Sequence, residues 1–146
     1  MLRALWLLVN EAARLIRLGQ AKPADALLAM IELGLARLRL DSRTARAMVV
    51  APAVPNYQLA SNQVALIERV AFVIPRVAAR MPWRADCLIQ ALAAARWLGR
   101  HGVATTLTFG VPRGKSADFE AHAWLKAGDR IVTGGDISGY RALSRH

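Results

Sequence analysis

Cys87 is the only cysteine in 146 residues. No disulfide can form within the chain, which excludes a secreted fold stapled by such bonds. Runs of like charge are also missing, although 20 basic and 10 acidic residues give a formal net charge of +10. The excess is spread over both halves, which argues against a dedicated nucleic-acid groove and leaves an acidic partner open. No stretch approaches the ~18–20 apolar residues of a membrane span. Internal repeats and low-complexity tracts are absent too. What is present is a globular composition, 55% hydrophobic and 21% charged. The length suits one domain, or one domain with a helical extension, and can bury a real core. Met1 to Val9 begins like a signal peptide. However, Asn10 and Glu11 end the apolar stretch, and Arg14 and Arg17 follow in a helical pattern. The expectation is a cytoplasmic protein.

The pattern of apolar residues divides the chain at about residue 60. In residues 1–60, Leu2, Leu5, Trp6, Val9, Ala12, Ala13 and Ile16 form one helical stripe ending at Gly19. Pro23 suits a helix start. Ala24, Leu27, Leu28, Ile31, Leu35 and Leu38 form a second stripe. Pro52 and Pro55 then mark a linker. The first helix, through Leu2, Leu5, Trp6 and Val9, is a candidate docking surface.

Residues 61–146 read as a second region, with Ser61 capping a third helix through about Arg80. Its stripe is Leu66, Val70, Val73 and Val77, and Pro75 is expected to kink or end it. A break at Met81 to Ala85 precedes a fourth helix from Cys87 to about Leu98, with Leu88, Ala91, Leu92 and Ala95 on its buried face. Gly99 and Gly102 close that helix. Beyond it the period changes. Val103, Thr105, Leu107, Phe109 and Val111 alternate as a half-buried strand. After a polar loop from Pro112 to Asp118, Phe119 to Lys126 makes a second strand. Ala127-Gly128-Asp129 makes a turn, and Arg130 to Thr133 makes a third strand. The fold class is α+β: N-terminal helices, then a helix packed on an antiparallel sheet.

Cys87 falls on the first turn of a helix, where the dipole favours the reactive thiolate. That contribution is ~0.3–1 kcal/mol and at most ~2 kcal/mol, so a cationic partner is needed as well. Asp86 can cap the helix through the amide of Ile89, but its carboxylate opposes the thiolate. Among the three histidines, His101 lies in a turn and His146 is terminal. His122 sits in a strand between Ala121 and Ala123 and is the natural base for Cys87.

A third group should orient that imidazole. Asp129, in the hairpin turn, is roughly 13 Å of strand away at ~3.3 Å per residue. If Ala127-Gly128-Asp129 is a three-residue loop, Lys126 pairs with Arg130 and His122 falls opposite Gly134. Asp136 then lies at the diagonal position on the same face, ~7–8 Å away between backbones. A two-residue loop would turn Asp136 away. Asp136 is the expected third residue; its alternative is a turn aspartate after Gly134-Gly135. Trp83 and Trp124 flank the pair; either could wall a substrate cleft, and both could equally be core. Gln90, one turn after Cys87, could donate to an oxyanion, although the amide of Cys87 itself is the more dependable donor.

The blocks that carry these residues are Pro82-Trp83-Arg84-x-x-Cys87-Leu88-x-Gln90-Ala91-Leu92, Arg96-Trp97-Leu98, Leu107-x-Phe109-Gly110-Val111 and Phe119-x-Ala121-His122-Ala123-Trp124. Together they resemble the transglutaminase-like cysteine protease of lasso-peptide biosynthesis, a leader peptidase, over about residues 76–136. The resemblance implies a papain- or transglutaminase-like fold without metal or cofactor. It implies Cys87 as nucleophile, His122 as base, and a thioester acyl-enzyme discharged by water. The family's third residue is an acid a dozen or so positions after the histidine; the twelfth position here is Gly134, and Asp136 is the fourteenth. Implied partners are the precursor leader peptide, a separate leader-recognition protein and a macrolactam synthetase. The residues alone would equally serve a related Cys-His-Asp acyl transferase of transglutaminase or deamidase type. A non-catalytic helical module for an acidic surface would leave the motif blocks unexplained.

Overall fold

A computed structural model describes residues 22–39, 58–114 and 121–143. The first apolar stripe, with the docking surface expected on it, most of the linker, part of the polar loop and His146 lie outside the described residues. Three helices come first: α1 (Pro23–Leu38), α2 (Ser61–Ala78) and α3 (Cys87–Gly99). Four strands follow: β1 (Thr106–Pro112), β2 (His122–Ala127), β3 (Arg130–Thr133) and β4 (Tyr140–Ala142). They form one antiparallel sheet in the order β3-β2-β1-β4. α1 packs on α2 and α3, and α2 and α3 pack on the sheet. The fold is the α+β arrangement expected, with a fourth strand added.

The apolar spacing of α2 decides its buried face. Leu66, Val70, Val73 and Val77 are all in the core. Ser61 is not the cap. Ala60 occupies that position, and its N–H donates to Oε1 of Gln63 at 3.0 Å. Pro75 does not stop the helix, which runs on to Ala78; lacking an N–H, it forgoes one ladder bond, that to the Ala71 carbonyl.

In α1 the buried face is not the leucine stripe. Ala26, Ala29, Leu33 and Ala36 are in the core, together with Glu32, while Leu27, Ile31 and Leu38 are exposed. The reason is electrostatic and steric. The fully enclosed Glu32 carboxylate meets two arginines of α3. Arg96 Nε donates to Oε2 at 3.1 Å, and Arg100 forms an ion pair with Oε1. A buried carboxylate must find such partners, and the alanines beside it let the helices approach. The same cluster joins α1 to the helix that begins at Cys87, so residues on both sides of position 60 share one core.

The hairpin between β2 and β3 also differs from expectation. Ala127 pairs with Arg130, so the turn is the two-residue Gly128-Asp129 and not a three-residue loop. Gly128, at φ +58, supplies the left-handed conformation that such a tight turn needs. Lys126 pairs with Ile131, but Leu125 pairs with Thr133. Val132 is thus the extra residue of a β-bulge, which changes the alternation of everything beyond it. β4 escapes the sequence pattern because three residues are too few to show alternation. It forms by pairing with Gly110, Val111 and Pro112 of β1.

Candidate active site

α3 starts at Cys87 for a local reason. Asp86 is extended (φ −67°, ψ 178°) and its carboxylate accepts the Ile89 amide at 3.1 Å, as the sequence suggests. Cys87 is half-buried at the first helical position and packs against the edge of the core. Its own amide, in the first turn, has no intrahelical acceptor. Gln90 is committed elsewhere: Nε2 donates to the carbonyl of Ala85 at 2.8 Å, folding the side chain back over the helix entry. Trp83 lies in the break just before the helix. Its indole Nε1 is shielded from solvent and has no hydrogen-bond partner among the described residues.

β2 presents Ala123, Leu125 and Ala127 to the core shared with the helices. His122 and Trp124 share the other side of the strand. Trp124 is buried and fills space left by two glycines. A Cβ on Gly110 would lie 2.5 Å from the ring carbon Cη2, and a Cβ on Gly134 would overlap the tryptophan Cβ and lie 2.9 Å from its Cα. Its surroundings are those of a packing residue, so little of it is left to wall a cleft.

His122, at the start of β2, is half-buried. Its Nε2 lies 2.7 Å from the carbonyl oxygen of Gly134. A carbonyl only accepts, so Nε2 carries a proton, and in the neutral ring Nδ1 then keeps the lone pair. Among the described residues Nδ1 makes no hydrogen bond. Tyr140 of β4 stacks on the imidazole, with ring centroids 4.6 Å apart and planes 29° apart, while Trp124 stands 6.2 Å away.

Asp136 is exposed and faces its own turn. Its carboxylate accepts the backbone N–H of Ser138 at 2.9 Å, an Asx turn. That amide, and then the Ser138 hydroxyl, hold the carboxyl below its ordinary range against a smaller opposing effect of desolvation. No hydrogen bond joins Asp136 to His122. The Cys87 thiol and the imidazole are likewise not hydrogen-bonded to each other; catalytic hydrogen bonds are often long before a substrate is bound. His101 is held by its own helix, with Nδ1 3.0 Å from the carbonyl of Trp97.

Two groups around the imidazole were not identified from sequence. The Gly134 carbonyl had one signal, its place twelve residues after His122. Tyr140 had none, since its strand is invisible as a pattern. Among the described residues no group of His, Cys, Asp and Glu is arranged to hold a metal ion, and no helix is long and apolar enough to cross a membrane.

The family model described as transglutaminase-like superfamily matches residues 27–145. No curated protein and no solved structure matches the chain. The matched stretch takes in every helix and strand apart from the first turn of α1. With that coverage, far more than half of its length, the chain belongs to the transglutaminase-like superfamily.

Proposed function

We propose that this protein is a cysteine peptidase that removes the leader from a ribosomally made lasso-peptide precursor, with Cys87 as nucleophile and His122 as base. The observation that carries the reading is the state of His122. With a proton on Nε2, the lone pair that the neutral ring keeps on Nδ1, unbonded among the described residues, is what a thiol proton needs. Membership of a superfamily whose enzymes are usually cysteine-dependent supports the same assignment. The motif blocks around Cys87 and His122 supply the lasso-peptide resemblance and its partners: the precursor leader, a separate leader-recognition protein and a macrolactam synthetase.

The chemistry balances as follows. Nδ1 takes the thiol proton, and the thiolate attacks the carbonyl carbon at the leader junction. The first-turn amide of Cys87 faces the oxyanion. Collapse breaks the C–N bond, and the imidazolium gives its proton to the departing amine. The leader is left as a thioester on Cys87. Water, deprotonated by the same nitrogen, attacks the thioester, and the thiolate leaves and is reprotonated.

The test is cleavage of a leader-bearing lasso-peptide precursor in the presence of its leader-recognition protein, followed by mass spectrometry. Cys87→Ala is expected to abolish cleavage while circular dichroism stays unchanged; retained cleavage rejects the proposal. Added primary amine separates the related acyl transferase: an amide product, heavier than the free acid by the amine less one water, assigns the chain to transfer.

A further inference from the structure

We infer that the main-chain carbonyl of Gly134, and not a carboxylate, is the group that orients His122 and decides which ring nitrogen carries the proton. The inference deepens the Cys87–His122 reading and rests on it for its catalytic meaning. A base of this kind needs one acceptor on the nitrogen remote from the nucleophile, to fix both the tautomer and the direction of the ring. At His122 that acceptor is the Gly134 oxygen, 2.7 Å from Nε2. Asp136, the acid expected from the sequence, is spent on the Ser138 amide.

The backbone shows why a carbonyl can serve here and a side chain cannot. Gly134 has φ +108°, a conformation that residues with a Cβ rarely adopt. A Cβ at this position would collide with the Cβ of Trp124. A carboxylate carried on residue 134 would have to displace Trp124. The bulge at Val132 sets the frame in which Gly134 follows β3, and Gly135, at φ +62°, continues the turn. Two consecutive left-handed residues aim the peptide oxygen across the strand at the ring. Tyr140 completes the hold by stacking on the imidazole face, leaving the ring few other orientations.

A neutral carbonyl differs from a carboxylate in one respect that matters. Hydrogen bonds to an ionised acceptor are roughly twice as strong as neutral ones. Gly134 is therefore a positioning residue that selects a tautomer without placing a counter-charge beside the imidazolium. Asp136, two residues on, is a structural turn residue in this arrangement.

The test uses the full chain labelled with 15N-histidine. Long-range proton–nitrogen correlation reports the tautomer of each ring, and His122→Gln identifies the signal. At a pH where the ring is neutral, the expected result is a proton on Nε2 of His122, unchanged in Asp136→Asn. Cys87 is the only cysteine, so alkylation by iodoacetamide reads the thiol without any substrate. The rate is expected to be unchanged in Asp136→Asn and to fall at least ~10-fold in His122→Ala. A proton on Nδ1, a tautomer that shifts in Asp136→Asn, or alkylation slowed by Asp136→Asn as much as by His122→Ala overturns the assignment to Gly134. Alkylation that ignores His122→Ala while the Nε2 tautomer persists overturns the Cys87–His122 reading and leaves the carbonyl's hold on the ring standing. Both decisive proteins keep Gly134, so the outcome does not depend on whether a Gly134 variant folds.

Discussion

The helical layer and the far end of the sheet are held by opposite means. Between α1 and α3 a fully buried carboxylate is clamped by two arginines, so side-chain charge fixes the register of one helix on another. Around His122 a backbone carbonyl, a stacked tyrosine, two glycines and a bulge fix the imidazole, with no charged hydrogen-bond partner among the described residues. The first region is a scaffold that sets where α3, and hence Cys87, begins. The second fixes the direction in which the His122 ring points. Charge suits the first task because it is strong where water is excluded. Backbone suits the second because a peptide group cannot change rotamer.

The contrast can be broken most forcefully in the helical layer. Arg96→Ala leaves the enclosed Glu32 with only Arg100, which is 46% exposed and screened by solvent. Stranding a buried charge costs about 3–5 kcal/mol, so urea unfolding should show a loss of that order. A loss below 1 kcal/mol would place the carboxylate in water.

At the other end, Gly134→Ala forces a Cβ onto Trp124 and a side-chain residue into φ +108°. Backbone strain of this kind costs about 1–3 kcal/mol before the collision is counted. A lowered melting temperature should come with an imidazole that loses its single Nε2–H tautomer. Asp86→Ala tests the junction between the regions. Loss of the cap to the Ile89 amide should cost about 1 kcal/mol, read by thermal unfolding, with the His122 tautomer unaffected.

The smallest effect belongs to Asp136. Its carboxyl is held below the ordinary value of 3.8 by Ser138, so it contributes stability above that value. That contribution is lost as pH falls through its lower folded-state value. Asp136→Asn should therefore be slightly less stable than the parent at neutral pH and equal to it in strong acid. Denaturation followed from pH 7 to pH 2 checks the sign, and a gap that widens on acidification would contradict the Asx turn.

Much of the scaffold was readable because the driving interactions are local or periodic. The spacing of Leu66, Val70, Val73 and Val77 defined the core face of α2, and Asp86 announced the start of α3 through its bond to Ile89. The leucine stripe of α1 misled. Hydrophobicity alone ranks Leu27 and Ile31 above Ala29 and Glu32, and the arginines that make Glu32 a core residue lie 64 and 68 positions away in sequence. In the same way, Gln90 could be assigned to an oxyanion until the Ala85 carbonyl took its amide.

The candidate site divides along the same line. Cys87 at a helix start and His122 in a strand follow from residue type and short-range pattern, and so does the α+β class. Which acceptor faces His122 does not. It depends on a two-residue turn followed by a bulge, a one-residue difference in register that reverses the facing of every side chain beyond it. Local propensity distinguishes such registers by little. The packing of Trp124 against Gly110 and Gly134, and the pairing of β4 with β1, distinguish them decisively. Sequence alone determined the described helices, the first three strands and the reactive residue types; only the assembled sheet, where close packing tolerates one register, added β4 and decided that the Gly134 peptide oxygen rather than the Asp136 carboxylate meets the imidazole.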